Sequence, residues 1–390
     1  MMSKGKQIST WLLEQGRMAE DMVTLLRGLI AQMQTVGIPI ARMTLGQRTL
    51  HPEIAAVGYA WNADDDEVQI RNVGHELHQT ADYLVSPVRI ILEGGDQVRC
   101  RLEGDDPDLE YAFLERLMEE GFTDYLALPV PLTDGKRNPI SFAMRRAGGF
   151  TDADVEDIRE FLPVFGLLSE IHSSRKLASN LLDVYLGHGT GERVLEGAIR
   201  RGFARRIPAA VFFCDLRGFT AMSERLPRDY IIHVLNDYFG AVGDAIDAAG
   251  GEVLKFIGDA ALAIFPVDEA DGTRGACNRA LGAAHGAITA LGKVNERRRS
   301  EGKPDLISSF GLHVGDVFYG NIGASGRLDF TVIGPAVNRA ARLEKLSADM
   351  AEPILVTSAF AEAADGEFRS VGHHPLKGIE AEVEAFAPLS

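Results

Sequence analysis

Leu254 to Phe265, reading LKFIGDAALAIF, decides how the second half of this chain folds. Apolar residues, many of them β-branched or aromatic, flank Gly258-Asp259, the pattern of a β-hairpin with a two-residue turn. A carboxylate at such a tip is ordinary, because a turn aspartate can bond its own backbone. Upstream, Ala209 to Thr220, AAVFFCDLRGFT, reads as a buried strand ending in Asp215. Two strand-end carboxylates beside apolar runs are costly unless something cationic pairs them. Converging, they would form an oxygen-ligand site for Mg²⁺ or Mn²⁺, the usual companions of nucleoside triphosphates.

The 390 residues suffice for two or three domains with sizeable cores, and 46% apolar with 25% charged residues is a globular composition. Forty basic against 56 acidic residues give a formal charge of −16, which argues against nucleic-acid binding through bulk charge. An anionic substrate then needs local Lys, Arg or metal. Cys100, Cys214 and Cys277 are far apart and read as reduced, buried thiols. No run has the length of a membrane span, and the N-terminus lacks a signal-peptide core, so a cytoplasmic protein without membrane partners is expected.

In chain order, residues Thr10 to Gln34 have helical apolar spacing with a break near Gly16. Short strands follow: Pro39 to Leu45, Ala56 to Trp61, Val68 to Arg71, Val88 to Leu92, Val98 to Leu102, Tyr125 to Val130 and Ser141 to Arg145. One helix, Leu109 to Glu120, interrupts them. This is the texture of an α+β sensor-type domain. Thr151-x-x-Asp154 starts a further helix with a capping box. Its Val155, Ile158, Leu162 and Phe165 suit a two-chain seam, favoured here over packing on the domain's own sheet, with Pro163 as a kink or step. Asn180 to Arg201 reads as two short helices around a glycine elbow at Gly187, Gly189 and Gly191, the second spanning Glu192 to Ile199. The order of elements, with the helix opening at Phe150-Thr-Asp-Ala-Asp154, resembles a GAF domain. His75 and His78 lie three apart without further ligands nearby and read as surface histidines.

Beyond Ile207, strands and helices alternate: strand Ala209 to Cys214, helix Tyr230 to Ala249, the hairpin, helix Gly275 to Arg298, strands Ser308 to Val314, Gly315 to Gly323 and Phe330 to Ile333, and a helix from Ala336. This suggests a mixed sheet with helices on one face, a ferredoxin-like core. Four ordered motifs, Phe213-Cys-Asp-Leu-Arg-Gly-Phe-Thr220, Lys255-Phe-Ile-Gly-Asp-Ala260, Gly311-Leu-His-Val-Gly315 and Gly334-Pro-Ala-Val-Asn-Arg-Ala-Ala-Arg342, resemble the catalytic domain of class III nucleotidyl cyclases. The chain thus divides into a GAF-like regulatory domain at 1–150, a helical linker at 151–206 and a cyclase domain at 207–390, all α+β apart from the linker.

The resemblance implies an adenylate cyclase that converts ATP to cyclic AMP and pyrophosphate. Asp215 and Asp259, with the backbone carbonyl of Leu216, would hold two Mg²⁺ or Mn²⁺ ions. Asn338 would orient the ribose and Arg342 would donate to the pentavalent phosphate; four apart on a helix, they share a face. Lys377, in Pro375-Leu-Lys-Gly378, matches a terminal-phosphate lysine. Lys255 matches the lysine that donates to adenine N1, and Thr331 stands where its hydroxyl can accept from the adenine amino group. Guanylate cyclases carry Glu and a small polar residue at those positions, so ATP is favoured over GTP. Both halves of the family's shared site lie in this one sequence, which implies a homodimer with two equivalent sites. A cyclase-fold module without activity, or an unidentified small-molecule effector on the front domain, completes the range of readings.

Overall fold

The computed structural model describes the chain except residues 1, 50–53, 75, 77–82, 84, 105–106, 196, 198–201, 203, 325, 380 and 390, and the side chains at 188, 189 and 192. His75 and His78 therefore lie outside the described residues. The chain divides into two units, Met1–Leu181 and Leu182–Ser390.

In the first unit the N-terminal periodicity forms α1 (Lys4–Glu14) and α2 (Met22–Thr35), separated at Gly16 as expected. Asp21 caps α2 by accepting from the Thr24 amide at 2.8 Å. Then come β1 (Ile40–Arg48), β2 (Ile54–Asn62), β3 (Glu67–Gly74), α3 (Pro87–Leu92), β4 (Val98–Arg101), α4 (Ala112–Glu119), β5 (Asp124–Pro131), β6 (Arg137–Met144) and α5 (Asp152–Leu186). The strands form one antiparallel sheet in the order β3-β2-β1-β6-β5-β4. One core joins a sheet face to α1, α2 and α5; a second core includes residues of α3 and α4.

Two expectations fail here. Val88 to Leu92 is helical rather than a strand. Ser86 caps it through the Arg89 amide and Pro87 occupies its first turn, two helix-start signals that outweigh a β-branched run. Val155, Ile158, Leu162 and Phe165 form no two-chain seam; all four are buried in their own domain's core. Between them sit Phe161 and, at the sheet, Leu126, Leu128 and Phe142, which absorb the apolar stripe. The exposed apolar side of α5 is different: Leu167, Ile171, Leu181 and Tyr185, the last 79% exposed. The capping box forms as read, Thr151 and Asp154 each accepting from the other's amide, and the helix continues through Pro163.

The second unit contains α6 (His188–Leu195), β7 (Ala204–Leu216), α7 (Phe219–Arg225), α8 (Arg228–Ala248), β8 (Glu252–Ile257), β9 (Ala260–Pro266), α9 (Gly272–Ser300), β10 (Ser308–Ala324), β11 (Arg327–Ile333), α10 (Pro335–Met350), β12 (Ile354–Thr357), α11 (Ser358–Ala363), β13 (Phe368–His374) and β14 (Val383–Pro388). The connector has its elbow at Gly187, φ +85°, but the helix before it is the end of α5 and the one after it starts at His188. The two strands expected between Ser308 and Gly323 are one 17-residue strand, β10.

The central order β10-β7-β9-β8, antiparallel throughout, is the ferredoxin-like arrangement. β12 extends it in parallel to β10, and β11 folds back on β10 as a hairpin. Helices cover both faces rather than one. α8 and α9 pack on Ala210, Phe212 and Phe310, while Ala336 and Ala340 of α10 join the core of Ala209, Val211 and Val317. Two small-residue contacts allow this. Alanines at 276, 280, 283, 284 and 287 let α9 lie close to its neighbours. At Gly311 of β10, a Cβ would stand 2.2 Å from the Ala340 carbonyl oxygen, so α10 rests directly on the strand. That contact fixes the helix that carries Asn338 and Arg342. The three cysteines are free and buried.

Candidate active site

The hairpin forms as its sequence dictates. Ile257 pairs with Ala260, leaving Gly258-Asp259 as the turn, and Gly258 takes the φ of +68° that a first turn residue of the II′ kind requires. On the other side of β9, Asp215 of β7 pairs with Ala260. Strand register thus sets Asp259 beside Asp215. The two side chains are within hydrogen-bonding reach of each other.

Like charges this close resist joint ionisation. Asp215 is pushed up to about 7, first by burial, then by the charge of Asp259 and the hydrogen bond to it, then by the charge of Glu344. The Leu216 amide, which donates to Asp215 Oδ1 at 3.0 Å, pulls the other way. Two hard oxygen donors in an excess negative field fit Mg²⁺ or Mn²⁺. Among the described residues no cluster of three or more His, Cys, Asp or Glu could hold a metal, so further ligands would have to come from substrate oxygens, water or the Leu216 carbonyl.

Glu344 escaped the sequence reading. It lies on the buried side of α10 with Ala336, Ala340 and Ser347, and accepts from the Ser309 hydroxyl at 2.5 Å. Burial raises its pKa, the Ser309 bond lowers it, and the charge of Asp259 raises it. A carboxylate on an otherwise apolar helical stripe was the available signal.

Lys255 of β8 reaches Asp329 of β11, Nζ to Oδ2 3.0 Å. Asp329 also went unnoticed in the sequence, although it is two residues from Thr331 and hence on the same strand face. Thr331 is buried, and its Oγ1 has no hydrogen-bond partner. Unsatisfied buried hydroxyls are uncommon, and this one lies on the strand that Lys255 reaches. Asn338 and Arg342 are exposed on α10, and their side chains have no hydrogen bond or ion pair among the described residues. Lys377 is exposed in the turn after β13. The structure therefore joins Asp215 to Asp259 and Lys255 to the strand of Thr331. Among the described residues it brings no partner to the side chains of Asn338, Arg342 or Lys377.

Behind this site, α6 is tied to two of its strands. Glu252 at the start of β8 accepts from Thr190 Oγ1 at 2.6 Å and from the Tyr319 hydroxyl at 2.8 Å. The Tyr319 ring meets Phe330, next to Thr331, edge to face at 4.8 Å.

Residues 205–387 match the family model described as the adenylate and guanylate cyclase catalytic domain. An adenylate cyclase of Anabaena cylindrica is 40% identical over 166 residues, 41% of this chain and 31% of that protein. Adenylate cyclase 1 of Rhizobium meliloti is 31% identical over 179 residues, 45% of this chain and 26% of that protein. The chain thus spans less than a third of either relative's length. Among solved structures, the adenylyl cyclase CyaB of P. aeruginosa is similar at 27% identity and a TM-score of 0.45, over 48% of this chain and 96% of that one.

The carboxylate pair carries a pH signature. Because Asp215 holds its proton more tightly when folded, the linked stability is full below the ordinary 3.8 and is lost as pH rises through about 7. In EDTA at pH 8, Asp259→Asn should therefore unfold at a higher temperature than the parent, with a smaller gain at pH 5. Equal melting temperatures at pH 8 would show that the two carboxylates do not repel.

Proposed function

We infer, from a C-terminal half that belongs to the class III nucleotidyl cyclases, that the chain is an adenylate cyclase making 3′,5′-cyclic AMP and pyrophosphate from ATP. The observation that carries this reading is the meeting of Asp215 and Asp259 across β7 and β9. In the reaction the ribose 3′-hydroxyl gives up its proton to solvent and its oxygen bonds to the α-phosphorus, while the bond from that phosphorus to the bridging oxygen breaks and pyrophosphate leaves. Such a displacement depends on positioning and charge stabilisation more than on covalent help.

Asp215, Asp259 and the Leu216 carbonyl would hold two divalent ions, Mg²⁺ or Mn²⁺, whose charge would acidify the 3′-hydroxyl and neutralise the triphosphate. Lys255 donates to adenine N1, for which it must leave or share Asp329. The Thr331 hydroxyl accepts from the adenine amino group, and its lack of a partner in the free chain supports that role. Asn338 orients the ribose and Arg342 meets the developing phosphorane charge with a planar fork of donors. Lys377 contacts the terminal phosphate.

Asn338 and Arg342 lie exposed, without a side-chain partner among the described residues, which supports sites shared between two copies, one supplying the carboxylates and the other α10 and the purine contacts. The exposed stripe Leu167, Ile171, Leu181 and Tyr185 supports a homodimer whose seam is this side of α5, in place of the buried residues first considered. Residues 1–150 act as a GAF-like regulatory domain and 151–206 as its link to the catalytic domain at 207–390.

Asp215→Ala and Arg342→Ala chains should each be inactive with Mn²⁺ and ATP. Mixed, they should regain activity through the one intact site of the heterodimer. No recovery would refute shared sites; product from GTP exceeding that from ATP would make the enzyme a guanylate cyclase; no product from wild type would leave a binding module.

Thr331→Val separates recognition from stability. Removing an unpartnered buried hydroxyl should leave the melting temperature unchanged or raised, while KM for ATP rises. A lower melting temperature with unchanged KM would remove Thr331 from the purine site.

A further inference from the structure

The first unit contains a cavity of about 720 Å³ between the start of α2, strands β1 to β3 and residues 172–180 of α5. It lies on the face of the sheet that packs against α2 and α5, and it takes no part in the chemistry above. Its size is that of a pocket for a small organic molecule. Its wall is apolar in part, with Val57, Tyr59 and Leu177 half-buried around it.

The charge around it is unusual for this chain. Overall the protein carries −16, yet Arg48, Arg175 and Lys176 all line the cavity and none has a carboxylate partner among the described residues. Elsewhere most arginines near acids are engaged, as Arg99, Arg145, Arg146 and Arg299 are. Two acids also line the cavity. Asp21 is committed to the α2 cap through the Thr24 amide, and Glu20 is exposed at the rim. His172 lines it too; burial and the nearby Arg175 lower its pKa, so at neutral pH it adds no charge. The Tyr59 hydroxyl has no hydrogen-bond partner among the described residues, and burial raises its pKa, leaving it a neutral donor.

An apolar wall with three unpaired cations at its edge is the complement of an amphipathic anion. We propose that this cavity is a binding site for a small molecule with an apolar body and a carboxylate or phosphate head. The body lies against Val57, Tyr59 and Leu177, and the head meets Arg48, Arg175 and Lys176. Arginine suits the head because its fork matches either oxyanion. The proposal does not depend on the catalytic reading, since it concerns binding alone. One wall of the site is nevertheless α5, which runs on to Leu186.

Calorimetric titration of the full chain with dodecanoate tests it, below the concentration at which that probe forms micelles. One dodecanoate per chain should bind saturably. Dodecanol, with the body and no charge, should bind about tenfold more weakly or less, as should acetate, with the charge and no body. The exposed side chains allow Arg48→Gln with Arg175→Gln without loss of fold, which the melting temperature checks; this variant should bind dodecanoate about tenfold more weakly. In a second variant, Leu177→Glu places a carboxylate at the wall and should abolish binding. No saturable binding, equal binding of dodecanol, or affinity unchanged in both variants would each overturn the proposal.

Discussion

Two carboxylates that repel one another are held together by strand register. Asp215 ends a buried strand, Asp259 occupies the turn of the neighbouring hairpin, and the pairing of Asp215 with Ala260 leaves neither free to move away. The surrounding core supplies the rigidity, with Phe212 stacked edge to face on Phe310 at 5.5 Å and alanine-rich α9 packed behind. In water such a pair would separate. In a half-buried strand pair it can relax only by taking up a proton or a cation, and the raised pKa of Asp215 records the first of these. The field that makes the pair costly is one that a small, hard, doubly charged ion would relieve.

The remaining groups of the proposed site are arranged around that pair by the sheet. β8 carries Lys255 on one side of the hairpin whose tip is Asp259. β11 faces it with Asp329 and Thr331. α10 is brought down on β10 by the missing side chain at Gly311, where even a methyl group would strike the helix backbone. Glu252 joins Thr190 of α6 to Tyr319, and Tyr319 packs against Phe330, so the helix that enters the domain is linked to the strands that carry Lys255 and Thr331. A shift of α6 would be felt at β8 and β11 through a few buried side chains rather than through a loop.

Much of this was legible in the sequence because it rests on short-range signals. The hairpin follows from Gly258-Asp259 between apolar runs, and the ferredoxin-like order follows from alternating periods of two and 3.6 residues. The proposed site residues Asp215, Asp259, Asn338 and Arg342 lie in short motifs whose resemblance to a family names them, although the Asn338–Arg342 spacing alone marks only one helix face. What escaped depends on tertiary packing. Glu344 reads as one more helical acid until its neighbours on the buried stripe are known. Asp329 reads as a strand-edge acid until β8 is placed opposite. The stripe Val155, Ile158, Leu162 and Phe165 is compatible with a partner helix or with the chain's own sheet, and only the fold chooses the sheet. Val88 to Leu92 has the β-branched content of a strand, but the caps Ser86 and Pro87 fix the backbone of so short an element as helix.

Catalysis as proposed requires cation capture by the Asp215–Asp259 pair. It is tested most directly by counting Mn²⁺ bound per chain, by electron paramagnetic resonance, in the presence of 3′-deoxy-ATP, which cannot cyclise. Two ions per site should bind to the wild-type protein, and Asp215→Asn with Asp259→Asn should reduce this to the ion carried by the nucleotide itself. Equal Mn²⁺ binding by the wild-type and doubly substituted proteins would contradict it.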